Sequence, residues 1–286
     1  MKTNAIVRII LFSIAILVLL GILVTGLLID MFQFDTSAEG QNLPVAFDGV
    51  TSQGAVGAEE VLNLDIEWIA GSITIIPVEN TDQITIAETG NDNEKYAMVY
   101  DLSGNTLNIQ YCKESIQFPS LGLNVSVTKD LLITVPADWS CNELSIDTAS
   151  ADLNITDLKI NEVDIDDASG VCRFENCTVG KISMDSASGD LDFAGYLYNL
   201  DFDGASANCR ISVTNIPTEI DIDSASGDLE LYLPENCGFT CTLTSMSGYF
   251  ESDFETTRRK GSHVYGDGSC AITVDALSGN VRIHKN

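Results

Sequence analysis

The dominant pattern in this chain is an alternation of apolar and polar positions, interrupted at regular intervals by a short Ala-Ser-Gly phrase. Ile220-Asp-Ile-Asp-Ser-Ala-Ser-Gly-Asp-Leu-Glu-Leu231 shows it plainly. Ile220 and Ile222 are expected to point inward and Asp221 and Asp223 outward. Ser224 to Asp228 then turn a corner, after which Leu229 and Leu231 point inward again. The phrase recurs around Ser150, Ser169, Ser188, Ser206, Ser226, Ser247 and Ser278, at spacings of 19, 19, 18, 20, 21 and 31 residues. A period near 20 residues marks a solenoid, in which each unit buries its apolar face only against its neighbours. The prediction is an all-β, single-chain β-solenoid (β-helix) with coils of about 19-20 residues. At about 3.3 Å per residue one coil has a perimeter near 60 Å, and coils stacked about 4.8 Å apart leave only the two ends as open edges.

The regular repeats cover residues 131-286. Leu131-Leu-Ile-Thr-Val-Pro136 is a strand stopped by proline, and Leu229-Glu-Leu-Tyr-Leu-Pro234 repeats that design. The long last spacing predicts an insertion loop near 251-270, which holds Arg258-Arg-Lys260 and Gly261, Gly266 and Gly268. Residues 61-130 read as irregular N-terminal coils, as the terminal units of solenoids usually are. Ile66-Glu-Trp-Ile-Ala-Gly-Ser-Ile73 is a degenerate copy of the unit, and Val99 to Ile109 is another with one residue inserted after its glycine. Glu79 to Lys95 and Tyr111 to Asp130 read as loops or irregular coils. Residues 30-60 carry Gly, Ser, Gln and scattered acids without periodicity, which predicts a linker.

Ile9 to Ile29 departs from all of this: 21 residues without a charge, dense in Ile, Leu and Val. At about 1.5 Å per residue it spans the roughly 30 Å of a bilayer's hydrocarbon. Lys2 and Arg8 precede it and Asp30, Asp35 and Glu39 follow, so residues 1-8 are expected in the cytoplasm and the rest outside it. The rival reading is a cleaved signal peptide. The run at 9-29 exceeds the usual h-region of about 7–15 residues, which favours an uncleaved signal-anchor helix in the cell membrane.

The charge balance narrows the function. Of 286 residues 42 are acidic and 14 are Lys or Arg, for a net charge of −28. That excludes nucleic acid as a partner, which needs a basic footprint. It also opposes bare contact with anionic lipid or wall polymer. The eight cysteines, 112, 141, 172, 177, 209, 237, 241 and 270, could form disulfides in an oxidising compartment. Cys172/Cys177 and Cys237/Cys241 have ligand-like spacings, but no His completes a zinc pattern. Cys172 and Cys209 occupy the column of Leu153, Leu191 and Leu229, where Cys reads as a small hydrophobe, and Leu191 between them keeps them apart. Cys141, Cys177, Cys237 and Cys270 are the better bridge candidates, with no pairing legible.

The order of features resembles a bacterial family. An N-terminal anchor is followed by Leu131-x-Ile-x-Val-Pro136, serial Asp-x-Ala-Ser-Gly-Asp-Leu units, and Gly266-Asp-Gly-Ser-Cys-Ala-Ile-Thr-Val-Asp-Ala-Leu-Ser-Gly-Asn-Val-Arg-Ile283. This is similar to the β-strand-repeat "putative adhesin" domain of cell envelopes, a domain of unknown function. The resemblance covers residues 131–283 well and 61–130 weakly. It implies a right-handed β-solenoid on the outer side of a membrane and supplies no catalytic residues.

Candidate chemistry centres on two acidic columns. Asp147, Asp166, Asp185, Asp203 and Asp223, with Asp275 after the insertion, precede the corner; Asp152, Asp190 and Asp228 follow it. Carboxylates about 4.8 Å apart repel by roughly 1 kcal/mol per pair even in water, so something must offset them. Corner N–H groups bonding each Asp, as in an Asx-turn, are the favoured explanation. Calcium bridging the two columns is the alternative, against which stands the absence of the glycine-rich nonapeptide of calcium-binding β-rolls. No other cofactor is indicated. The alanine column (Ala149, Ala168, Ala187, Ala205, Ala225) is expected inside the corner, and Gly170, Gly189, Gly227, Gly248 and Gly279 are expected to provide positive φ. The stacked serines lack a base, since the histidines, His263 and His284, lie outside the corners. Three function classes follow: a non-catalytic, adhesin-like surface scaffold for a protein or cell-surface partner; an extracytoplasmic arm of an envelope-stress or signalling system working through a membrane partner; and a polysaccharide-active enzyme, for which no acid pair stands out.

Overall fold

The computed structural model describes residues 50–90, 96–112 and 128–286. The cytoplasmic tail at 1–8, the membrane span at 9–29 and the linker up to residue 49 lie outside the described residues. Among the described residues no helix is long and apolar enough to cross a membrane. The short 3-10 turn Ala58–Glu60 interrupts a course that is otherwise mainly β among the described residues.

A 19-stranded sheet wraps into a solenoid with two faces joined by corners. Its N-terminal end is built from β1 (Val50–Gly57), β2 (Asn63–Val78), β3 (Gln83–Thr89), β4 (Val99–Ser103), β5 (Thr106–Gln110) and β6 (Lys129–Pro136). The regular middle comprises β7 (Ser140–Thr156), β8 (Lys159–Asp167), β9 (Val171–Ser186), β10 (Asp190–Ser206), β11 (Cys209–Val213), β12 (Glu219–Ser226) and β13 (Leu229–Leu233). The C-terminal end has β14 (Phe239–Ser247), β15 (Phe250–Ser252), β16 (Thr257–Arg259), β17 (Ser262–Tyr265), β18 (Cys270–Ser278) and β19 (Val281–Lys285). Long strands bend through a corner and serve both faces. The first part of β7 pairs in parallel with β8 (Ser140↔Lys159 to Thr148↔Asp167), and its last part pairs with β9 (Leu153↔Cys172 to Thr156↔Glu175).

The inward columns are those the alternation predicts. On the first face Ile66, Ile146, Ile165, Met184, Phe202, Ile222 and Val274 stack in register, none more than 4% exposed. On the second face Ile73, Leu153, Cys172, Leu191, Cys209, Leu229 and Val281 do the same. Each aliphatic side chain so buried contributes roughly 1.5–3 kcal/mol. Because each coil offers only a few inward residues, this continuous column, rather than any single coil, makes the core.

The ends differ from the sequence expectation. Val99 to Ile109 is not a coil. Gly104, at a φ of 62°, turns the chain back so that β4 and β5 form an antiparallel hairpin. Glycine at the first position of a two-residue turn suits a hairpin, and the extra residue after it is the trace that the sequence carried. β5 then stacks on the first half of β2 and β6 on its second half, so one coil is assembled from two separate strands. Gln83–Thr89, expected to be irregular, is a strand antiparallel to β6. Val50–Gly57, expected as linker, pairs antiparallel with β3. At the other end the insertion holds the β16–β17 hairpin, and β17 runs antiparallel to β14. Antiparallel strands thus cover edges that parallel coils would leave open.

The order of the last coils also departs from the chain. β18 and β19, last in sequence, lie between β12–β13 and β14–β15 in space. Outward positions on the second face explain this order. Arg173, Asp192, Arg210, Glu230, Arg282 and Glu251 stand in register with alternating charge. Sequential stacking would set Glu230 against Glu251; the inserted coil puts Arg282 between them, with its Nη1 3.9 Å from Glu230 and 3.0 Å from Asp228.

Candidate functional site: an acidic face

The corner is built differently from the Asx-turn expectation. At three of the coils the residue after the outward Asp points inward and its side chain satisfies the backbone. Thr148 Oγ1 accepts from Ala151 N–H at 3.0 Å, Asp167 Oδ1 from Ser169 N–H at 2.8 Å, and Ser186 Oγ from Gly189 N–H at 2.7 Å. Thr148, Asp167 and Ser186 are buried, whereas the neighbouring alanines Ala149, Ala168 and Ala187 are half-buried. At these three coils the position inside the corner is therefore polar, whereas Gly204 and the buried Ala276 hold it in the coils of Asp203 and Asp275. The corner glycines serve close approach between coils more than positive φ. A Cβ on Gly189 would meet Asp167 Oδ2 at 2.0 Å, and one on Gly227 would meet the backbone oxygen of Ala207 at 1.7 Å.

The second acidic column has a structural task. Asp152 Oδ1 accepts from Val171 N–H of the next coil at 2.9 Å, and Asp190 Oδ1 from Asn208 N–H at 2.7 Å. Asn208 Oδ1 accepts from Asp228 N–H at 3.1 Å, and Asp228 Oδ1 from Asn280 N–H at 2.9 Å. Burial opposes ionisation of Asp228, but the Asn280 amides and Arg282 outweigh it and hold its pKa below the usual carboxylate value. The serines complete the corner: Ser169 Oγ donates to Ala149 O at 3.3 Å and Ser188 Oγ to Ala168 O at 3.2 Å. Those hydroxyls are committed to backbone.

The first acidic column remains as the site. Glu67, Asp147, Asp166, Asp185, Asp203, Asp223 and Asp275 occupy consecutive coils in one register, so the structure brings together every member that the spacing selected and adds Glu67. A flanking column two positions earlier holds Asp65, Asp164, Asp201 and Asp221 among serines and threonines. The sequence reading passed over this flank, although the Asp-x-Asp spacing at 164/166, 201/203 and 221/223 marks it. Partial burial, then the neighbouring carboxylates, push Asp166 and Asp203 up to about 7 and Asp147 and Asp223 up to about 6. Asp65, Asp185 and Asp221 move upward for the same reasons. Asp147 and Asp166 share a side-chain hydrogen bond, which requires a proton between them.

Asp152, Asp190 and Asp228 do not join this column. They lie across the corner with oxygens turned to backbone N–H groups. Among the described residues no three His, Cys, Asp or Glu side chains converge as a metal ion would need. Calcium bridging of the two columns therefore lacks its ligand set. His263 stacks on Phe250 at 3.9 Å, while His284 stacks on Tyr232 at 4.9 Å and lies 3.2 Å from Asp253. The second face, by contrast, neutralises itself: its groove of roughly 380 Å³ is lined by Arg173, Arg210, Asp192, Asp228 and Glu230.

One buried group escaped the sequence reading. Lys129 is fully buried, 2.5 Å from Glu88 and 2.7 Å from Tyr96 O, with its Nζ 3.8 Å from the Tyr111 ring and 4.8 Å from Trp68. Its parity with Leu131 and Ile133 was the available signal that it points inward.

The described residues thus form a stacked two-faced solenoid with committed corners and one face along which acids accumulate. A family model described as Toastrack DUF4097 matches residues 61–199 and again 124–284. The chain belongs to that family, in agreement with the resemblance carried by its repeat. No curated protein matches it. Solved structures with a similar course include a "putative cell adhesion protein" from Clostridium sporogenes, at 11% identity and a TM-score of 0.36, over 82% of this chain and 99% of that one. A "putative lipid binding protein" from Parabacteroides distasonis has 13% identity and a TM-score of 0.44, over 82% and 97%. A "putative adhesin" from Bacteroides fragilis has 13% identity and a TM-score of 0.37, over 81% and 96%.

Proposed function

We propose that this protein is a membrane-anchored, extracytoplasmic, non-catalytic scaffold that binds a cationic partner on its acidic face. The observation that carries the reading is the unbroken register of acids from Glu67 to Asp275. A solenoid can alternate charge from coil to coil, as the second face does. The first face instead accumulates acids, relieved at its margin by Lys181, 3.8 Å from Asp201, and a cationic ligand would lower the remaining repulsion. The partner class that fits is a Lys- or Arg-rich segment of a surface protein. The apolar run at 9–29, with Lys2 and Arg8 before it, supports anchoring with the solenoid outside the cytoplasm. The hydroxyls of Ser169 and Ser188 already engage backbone, which supports a non-catalytic role. Right-handed coils are the expected hand for parallel crossovers of this kind.

The test is binding of fluorescent oligolysine to the full chain in detergent micelles, followed by anisotropy. Binding should be tighter at pH 8 than at pH 5.5, should weaken in high salt, and should fall at least about tenfold in the D166N/D203N/D223N variant, in line with three lost charge contacts. Equal binding by that variant would sink the proposal.

A further inference from the structure

The loop leading into β14 and the first residue of β18 bring two thiols together. Cys270 N–H donates to Gly238 O at 2.9 Å, and Phe239 pairs with Cys270 as the two strands begin. Cys237 and Cys270 therefore lie on adjacent coils, diagonally across Gly238 and Phe239. Both are fully buried, and their thiols hydrogen-bond to each other. Five of the other six cysteines have strand partners other than cysteine. Leu191 separates Cys172 from Cys209, Cys141 pairs with Ile160, Cys177 with Gly195, and Cys241 with Ile272.

We propose that Cys237 and Cys270 form a disulfide that fastens the inserted coil. This rests on the extracytoplasmic reading above, because a cytoplasmic chain would be kept reduced. The oxidant is a disulfide, either a small molecule or a thiol–disulfide exchange protein. The Cys237 thiolate attacks it and expels one thiolate. Cys270 then attacks the Cys237 sulfur of the mixed disulfide and expels the second. The two cysteines lose two protons and two electrons, and the oxidant leaves as two thiols. The hydrogen bond from Cys270 lowers the pKa of Cys237, which suits it to attack first. The bond ties the stretch before β14 to the start of β18, at the place where chain order and spatial order diverge. It closes the loop from Cys237 to Cys270, and reduction should lower Tm by about 10 °C.

The full chain, refolded in micelles with oxidised glutathione, is digested without reductant and mapped by mass spectrometry. The expected result is a peptide linking Cys237 to Cys270, with a Tm that drops on reduction in the native chain and in C241S but does not respond in C237S. Absence of the linked peptide, or a Cys241–Cys270 link in its place, overturns the proposal. The same peptide is then sought in cells quenched with an alkylating agent. Its presence supports the bond as a native feature. A bond made in vitro but absent from cells refutes the extracytoplasmic location while leaving the geometry intact, so the two failures are told apart.

Discussion

Removing one charge from the middle of the acidic column should stabilise the protein, and most strongly at high pH. Asp166 stands in register with Asp147 on one side and Asp185 on the other. At about 4.8 Å each neighbour costs roughly 0.9 kcal/mol in water, and physiological salt removes about half of that. Partial burial works the other way. Asp166→Asn keeps the shape and the hydrogen bond to Asp147, so we expect a gain of about 1–2 kcal/mol at pH 8, or roughly 3–6 °C in Tm. The sign with pH follows from the raised pKa of about 7. Between about pH 4 and pH 7 the folded chain holds a proton that the unfolded chain has released, so stability falls as pH climbs through that window. At pH 5 native Asp166 is largely protonated, so the amide's advantage is smaller than at pH 8. The assay is thermal unfolding at pH 5 and pH 8, each in low and high salt. A variant that is destabilised at pH 8, or that gains equally at both pH values, refutes the electrostatic account.

Three further outcomes follow from the same geometry. Asp152→Ala removes the oxygen that accepts Val171 N–H; it should destabilise by about 1 kcal/mol, which chemical denaturation reads directly. Gly227→Ala would put a Cβ 1.7 Å from the Ala207 carbonyl, and the coils must part to admit it, so a loss of at least about 3 kcal/mol is expected in the same assay. Arg282→Glu sets an acid beside Asp228 and Glu230; we expect a loss of about 1–3 kcal/mol that shrinks in high salt, as urea titrations at two ionic strengths would show.

What the sequence made legible was whatever repeats. Alternation in units such as Ile220 to Leu231 assigned the inward columns and the two acidic columns correctly, because a parallel coil gives each position one neighbour of its own kind on either side. The corner was misread because a column of identical residues does not say which way they point. Alanine seemed made for the inside, yet Thr148, Asp167 and Ser186 occupy it, since the corner N–H groups need acceptors where water is absent. The ends were misread for a different reason. β3 and β1 are antiparallel covers with no partner of like sequence, so periodicity is silent about them. The order of the last coils depended on Arg282 against Glu230 and Glu251, a comparison across coils that a search within each unit does not make. Lys129 was hidden by its chemistry, since alternation put it inside while its charge argued for outside.

The position of the last coil also governs when the molecule can be finished. A chain emerging from its N-terminal end can stack β7 to β13 as each coil appears. That progression stops at Leu233, because the next coil released, β14–β15, must leave a vacant layer beneath it for β18–β19. Until Cys270 to Lys285 arrive, the underside of β14 and the exposed rim of β12 and β13 are two unpaired edges facing one gap. Closing that gap is therefore an all-or-none step that waits on residues 270–286, and a chain cut short before them would have open edges rather than be a shorter solenoid.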